Sequence, residues 1–154
     1  EPPMSADEQK ETFHTALAES LDGACSMEVV RAVHQQLRDK LLQHKEERDP
    51  EAPSISPKEV DAILHNCGVE EEKVQAFHKS CAAQFGEGVP LNPANLINSG
   101  RFEIKTENAT ILIDPDYSYL VETRSINGRT YLLLPADGME VNGLAVDLRD
   151  HQPG

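Results

Sequence analysis

The dipeptide Asn127-Gly128 lies between two runs of β-forming residues and predicts a two-residue hairpin within residues 120–135. A type I′ turn needs positive φ at both central positions, and Asn followed by Gly meets this need at the lowest steric cost. The turn also sets the register, in which Thr123 pairs with Leu132. This hairpin constrains the fold strongly, but it supplies no nucleophile, general base or ligand cluster.

One face of the predicted hairpin combines charged, aromatic and aliphatic side chains. The alternation of side chains along the two strands places four of them on this face: Glu122, Arg124, Tyr131 and Leu133. Aromatic and aliphatic anchors surrounded by charge are typical of protein-binding surfaces. We therefore expect a protein-binding face here, with burial of the same face under the helices as the alternative.

The N-terminal part of the chain has helical periodicity. Ser5 and Glu8 form a capping box, and the apolar residues that follow predict a first helix over residues 6–21. Ser26 can cap a second helix that runs to about Glu47. Because the connection is short, these two helices should form an antiparallel pair. The predicted apolar stripe of the second helix consists of Val30, Val33, Leu37, Leu41 and His44.

A second helix pair is predicted after residues 49–55, which are rich in prolines and acids and form the best linker candidate. Ser56, Pro57 and Glu59 follow one another as an N-cap, a first-turn proline and a capping-box acid. The third helix therefore begins here, and its predicted inward side chains are Val60, Ile63, Leu64 and Cys67. A fourth helix starts with acidic residues 70–72 and ends at Gly86.

From Arg101 onward the apolar period changes to two, which predicts strands. We therefore predict an α+β fold, with N-terminal helices (an antiparallel helical pair plus a second helix pair) followed by a small antiparallel β-sheet with an Asn-Gly hairpin. The expected domains are a helical hairpin at residues 4–48, a linker at 49–55 and a helix pair packed with the sheet at 56–148. One continuous domain over residues 4–148 is the alternative.

The 154-residue chain is acidic, with 14 Lys and Arg against 27 Asp and Glu and a formal net charge of −13. Its field repels phosphate groups and anionic lipids, so we expect neither nucleic acid nor a membrane as partner. No apolar run approaches the roughly 18 residues that a membrane span requires. Three cysteines without a regular spacing favour reduced thiols, so the predicted location is the cytoplasm.

We expect no catalytic, cofactor-binding or metal-binding residues in this chain. Both cysteines of the nearest zinc-like set lie on predicted apolar stripes, and the spacing is not Cys-x-x-Cys. That set is His65, Cys67, His78 and Cys81. Three further histidines, His14, His34 and His44, are interpreted as satisfied or solvated side chains. No phosphate-binding glycine loop, His-Glu-x-x-His motif or nucleophile elbow occurs.

Six short stretches across nearly the whole chain carry a family resemblance. They are Gln9-Lys10-Glu11-Thr12-Phe13, Gly68-Val69 with Glu72-Lys73, Phe102-Glu103-Ile104-Lys105-Thr106, Leu120-Val121-Glu122-Thr123-Arg124, Gly128-Arg129-Thr130-Tyr131 and Glu140-Val141-Asn142-Gly143. Together they resemble the C-terminal part of an uncharacterised bacterial family, the domain of unknown function DUF4317. The resemblance implies longer relatives with a further N-terminal region, and it transfers no activity and no catalytic residues.

The sequence alone does not reveal what this protein does, and two function classes stay open. The first is a non-catalytic protein-interaction or structural module of a larger cytosolic bacterial protein, with a protein partner of unknown identity. The second is an accessory domain of an enzyme whose catalytic residues lie in a further N-terminal region. The content of that region would discriminate between the two classes.

Overall fold

The structure, a computed structural model, describes residues 3–149, and these contain four α-helices. Their bounds are α1 Ala6–Leu21, α2 Met27–Glu47, α3 Pro57–Asn66 and α4 Glu71–Phe85. The four helices predicted from periodicity are confirmed. None of the helices in this part of the chain combines the length and the apolarity needed to cross a membrane.

Serine caps explain why α1 and α3 begin where they do. The Ser5 hydroxyl accepts a hydrogen bond from the Glu8 amide at 3.2 Å, and the Ser56 hydroxyl accepts one from the Glu59 amide at 3.2 Å. In each pair the Glu carboxylate accepts a reciprocal bond from the Ser amide. The Ser-to-Glu spacing therefore satisfies backbone donors that the start of a helix leaves without partners.

Six short strands pair as three antiparallel hairpins, each of which is a separate two-stranded sheet. The strands are β1 Phe102–Lys105, β2 Thr110–Ile113, β3 Glu122–Ile126, β4 Arg129–Leu133, β5 Glu140–Val141 and β6 Leu144–Ala145. Short 3₁₀ segments occupy Asp22–Ala24, Pro93–Asn95 and Pro115–Leu120. Helices followed by antiparallel strands confirm the predicted α+β class, and the strands are distributed over three sheets.

The chain divides into two compact units between Pro115 and Asp116. The first unit contains the four helices and a continuous hydrophobic core. Phe13 of α1 and Phe77 of α4 are fully buried in this core, and their ring centroids lie 5.8 Å apart in an edge-to-face arrangement. α3 packs against both α4 and α2. α1 makes its most extensive contacts with α4.

The predicted linker, residues 49–55, lies within the first unit. Its last residue, Ile55, is buried and forms an isolated antiparallel bridge with Leu91. The amide of each residue donates to the carbonyl of the other, at 2.8 Å and 2.9 Å. The proline-rich sequence therefore ends α2 without separating the helices into different units.

Two predicted core positions are wrong. Val30 is 47% exposed, and the preceding residue Val29 is buried in its place. Four-residue steps back from Leu37 lead through Val33 to Val29, so the stripe begins at Val29, while Val33 and Leu37 are buried as predicted. Cys67 is exposed because it forms the C-cap of α3, after the last helical residue.

The Asn-Gly hairpin of the second unit has the predicted turn and register. The φ angles of Asn127 and Gly128 are 51° and 80°, the two positive values that a type I′ turn requires. Thr123 pairs with Leu132 as expected. The predicted hairpin is therefore confirmed.

Replacing Gly128 with Ala should destabilise the β3–β4 hairpin by about 1 kcal/mol, because an L-residue resists the left-handed region. A Cβ at this position would meet no atom within 4 Å, so the cost lies in the backbone conformation alone. Amide hydrogen exchange across β3 and β4, together with thermal melting, measures the effect.

The matched control is Gly23→Ala. An added methyl group would also have open space at Gly23, but the φ of this residue lies outside the left-handed region. This variant should leave hairpin exchange unchanged and should keep or slightly raise the melting temperature. Unchanged hairpin protection in Gly128→Ala would contradict the type I′ assignment.

Candidate functional site

Side chains from α1 and α2 hold the segment that leads into β1. Three contacts, which we term the carbonyl ladder, join ring or guanidinium nitrogens to backbone oxygens: His14 Nε2 to Leu96 O (3.0 Å), His34 Nε2 to Asn98 O (2.9 Å) and Arg38 Nε to Ser99 O (3.2 Å). Because a carbonyl oxygen only accepts, both imidazoles donate through Nε2. The ladder therefore fixes residues 96–99 against two helices.

An apolar cleft of about 420 Å³ is formed by α1, α2 and the segment that the carbonyl ladder holds. Its apolar lining includes Phe13, Leu17, Leu21, Val29, Val33 and Phe102. Phe102 is buried, and its ring meets the His34 ring edge to face at 5.4 Å. The exposed Val30 also lines the cleft. This volume falls within the range of roughly 300–1,000 Å³ that is typical of small-molecule sites.

The charged side chains of the cleft are mainly basic. Lys10 and Arg101 line it together with the carboxylate of Glu103, which lies 3.7 Å from the Arg101 guanidinium. Desolvation of the imidazole lowers the pKa of His14 against the opposing effect of its hydrogen bond to Leu96, and the charge of Lys10 lowers it further. The cleft therefore disfavours an additional positive charge.

A second polar cluster joins α3 to α4. His78 Nδ1 lies 2.6 Å from Oδ2 of Asp61, and His78 Nε2 lies 3.6 Å from Oε1 of Glu87. The hydrogen bond with Asp61 raises the pKa of His78 in spite of an opposing desolvation effect, and Glu87 adds to the rise. When protonated, His78 lies between two carboxylates and forms an ionic tie between the two helices.

The four residues considered for zinc make other contacts. His65 hydrogen-bonds to Glu71, His78 bonds to Asp61, and Cys67 is exposed. Desolvation by burial raises the pKa of Cys81 to about 12, so this residue remains a thiol at neutral pH. Within residues 3–149, no group of three or more His, Cys, Asp and Glu side chains is arranged to hold a metal ion.

The structure places the four residues of the predicted protein-binding face side by side on the β3–β4 hairpin. Glu122 is paired with Leu133, and Arg124 is paired with Tyr131. Leu133 is half-buried, whereas the other three side chains are exposed. The opposite face of the same hairpin carries pairs such as Ser125 with Thr130, so Thr130 offers a neighbouring position that points the other way.

Sequence reasoning missed the apolar cleft and the carbonyl ladder. A signal was present in α1, where Lys10, His14, Leu17 and Leu21 recur at steps of three or four residues along one face. This face is basic at one end and apolar at the other. The partners of the two histidines lie 82 and 64 residues away, so only the folded chain identifies them.

Residues 1–144 match the family described as a domain of unknown function, DUF4317, and the chain belongs to this family. The match confirms the resemblance that the short motifs indicated. No curated protein and no solved structure matches the chain. The family description assigns no activity.

The ionic tie between Asp61 and His78 should stabilise the fold more at acidic than at alkaline pH. Since the folded pKa of His78 is raised from 6.5, its contribution is fully present below that value and is lost as the pH rises through the folded value. His78→Gln should therefore lower stability more at about pH 5.5 than at about pH 8.5, by roughly 1 kcal/mol. Thermal melts at both pH values measure the difference.

His14→Gln is the control, and its effect on stability should depend on pH in the opposite direction. The folded pKa of His14 is lowered, so its neutral form is favoured and the fold loses stability as the pH falls through 6.5. Without this titration, the variant should lose less stability between about pH 8.5 and about pH 5.5 than the unsubstituted protein does. A His78→Gln effect that is equal at both pH values would contradict the ionic tie.

Proposed function

We propose that this chain is a non-catalytic protein-interaction module of a larger cytosolic bacterial protein, and that its second unit provides the contact surface. The observation that carries this proposal is the concentration of exposed apolar side chains after Pro115. Eleven of the fifteen large apolar side chains that are exposed within the described residues belong to this unit. Tyr119 is 63% exposed and Leu144 is 72% exposed.

The second unit buries few side chains. Within residues 116–149, Ser118 and Val121 are the buried ones, and every residue of β3, β5 and β6 is exposed. An isolated two-stranded hairpin is marginally stable in water, and its strand edges carry unpaired backbone groups. A partner that covers these side chains would gain roughly 25 cal/mol for each Å² of apolar surface removed from water.

The β3–β4 face provides the arrangement that a binding surface needs. Tyr131 supplies an aromatic anchor with 43% exposure, and Leu133 adjoins it. Glu122 and Arg124 flank these anchors with one charge of each sign. Opposite charges around an apolar centre orient a partner and disfavour wrong ones, because a mismatched charge loses its solvent without gaining a counter-charge.

The apolar cleft of the first unit favours a second candidate, an accessory domain of an enzyme whose catalytic residues lie in a further N-terminal region. Such a domain would bind an apolar group near a catalytic centre that another part of the protein supplies. Activity screening of the longer protein, intact and with the described residues deleted, distinguishes this candidate. An enzymatic activity that is lost on this deletion would favour the accessory domain.

A photo-crosslinking amino acid at position 131, introduced into the protein in its native cell, should yield a discrete crosslinked protein species. The same amino acid at Thr130 is the matched control, since it is exposed on the opposite face one residue away. Crosslinking at 131 but not at 130 is the expected result. Equal patterns at both positions would contradict a specific binding face.

Tyr131→Ala tests the same face without a label. It should reduce recovery of the crosslinked partner severalfold while it changes the free energy of unfolding by less than about 1 kcal/mol, because the side chain is substantially exposed. Thr130→Ala should change neither quantity. A large loss of thermal stability in Tyr131→Ala would instead identify Tyr131 as a packing residue.

A further inference from the structure

We propose that the apolar cleft of the first unit binds a fatty carboxylate, with the alkyl chain along the α1 wall and the carboxylate at Lys10. This site lies wholly within the first unit and does not depend on the binding face of the second. Three features of the cleft support the proposal. They are its apolar wall along α1, its distribution of charge and the hydrogen bonds that its histidines already form within the protein.

One wall of the cleft runs along α1. Lys10, Leu17 and Leu21 line it along α1, and Cys25 lines it beyond the end of that helix. With a rise of about 1.5 Å per residue, the α1 wall from Lys10 to Leu21 is about 16 Å long. Apolar side chains from α2 and from β1 form the other walls. An alkyl chain that lies along this wall would therefore remove apolar surface from water.

The charge distribution favours an anionic head group at the Lys10 end. Among residues 3–149, no carboxylate forms an ion pair with the Lys10 ammonium, whereas Arg101 is paired with Glu103. Lys10 and His14 both line the cleft, and the charge of Lys10 adds to the desolvation that lowers the pKa of His14. A carboxylate placed there would gain a counter-charge beside a surface of low dielectric, where the attraction exceeds that in bulk water.

The polar groups of the cleft argue against a peptide as the occupant. A bound peptide backbone needs donors and acceptors to replace the water that it loses. The Nε2 atoms of His14 and His34 already donate to the carbonyls of Leu96 and Asn98. A fatty carboxylate needs polar partners only at its head, and this requirement matches the cleft.

Dodecanoate, used below its micellar concentration, is the probe for this site. It should bind the purified protein, as measured by calorimetry and by NMR shifts of α1 and α2, and dodecanol should bind more weakly. Lys10→Met should weaken dodecanoate binding roughly fivefold or more while it leaves dodecanol binding unchanged. Lys79→Met is the matched control, because Lys79 is exposed on α4 and does not line the cleft.

The position of the alkyl chain can be tested through the cysteines. Cys25 and Cys67 are both exposed, but only Cys25 lines the cleft, so bound dodecanoate should slow alkylation of Cys25 and leave Cys67 unchanged. Equal binding of dodecanol, an unaffected affinity in Lys10→Met, or no protection of Cys25 would each overturn the proposal. Protection of Cys25 by an acidic amphipathic peptide but not by dodecanoate would also overturn it and would assign the cleft to a peptide.

Discussion

The carbonyl ladder is the constraint on which the architecture of the first unit depends. Residues 96–99 belong to no helix or strand, so their carbonyls have no partners of the regular kind. His14, His34 and Arg38 supply partners for three of these carbonyls from two helices. The segment is thereby anchored before the chain enters β1, where Phe102 packs under the His34 ring. The anchored segment also forms one wall of the apolar cleft. The cleft therefore results from the hydrogen bonds that the carbonyls of this irregular segment accept from the two helices.

The two units differ in how much apolar surface they bury. The first buries a continuous core from four helices, centred on contacts such as Phe13 with Phe77. The second has short hairpins whose local geometry is set by Asn-Gly turns and whose side chains remain largely exposed. Turn chemistry specifies a register without burying apolar surface, so it defines a shape but contributes little hydrophobic stabilisation. A unit of this kind is suited to present side chains to a partner.

Local signals in the sequence predict helix starts and turns well, whereas contacts between distant parts of the chain do not follow from them. The cap at Ser56 and the turn at Asn127-Gly128 act over two to four residues, and the structure confirms both. The first residue of the α2 stripe is Val29 and not the predicted Val30, because the two valines are adjacent and chemically identical and only tertiary packing selects between them. The β3–β4 face follows from strand alternation, so its four members can be named from the turn alone. The cleft cannot be predicted in this way, because its polar groups are held by contacts over more than 60 residues of sequence.

The placement of basic side chains reconciles an acidic protein with an anion-binding cleft. Several basic side chains of the first unit bind backbone carbonyls or carboxylates of the same unit. Arg38 donates to Ser99 O, and Lys73 donates to Leu21 O at 3.0 Å. Lys40 forms an ion pair with Glu59. Lys10 instead lines an apolar surface. At physiological ionic strength charges are screened beyond about 8 Å, so the net charge of −13 acts weakly on a ligand already in the cleft. The local ammonium, at short range and beside apolar walls, therefore determines which sign of charge the cleft accepts.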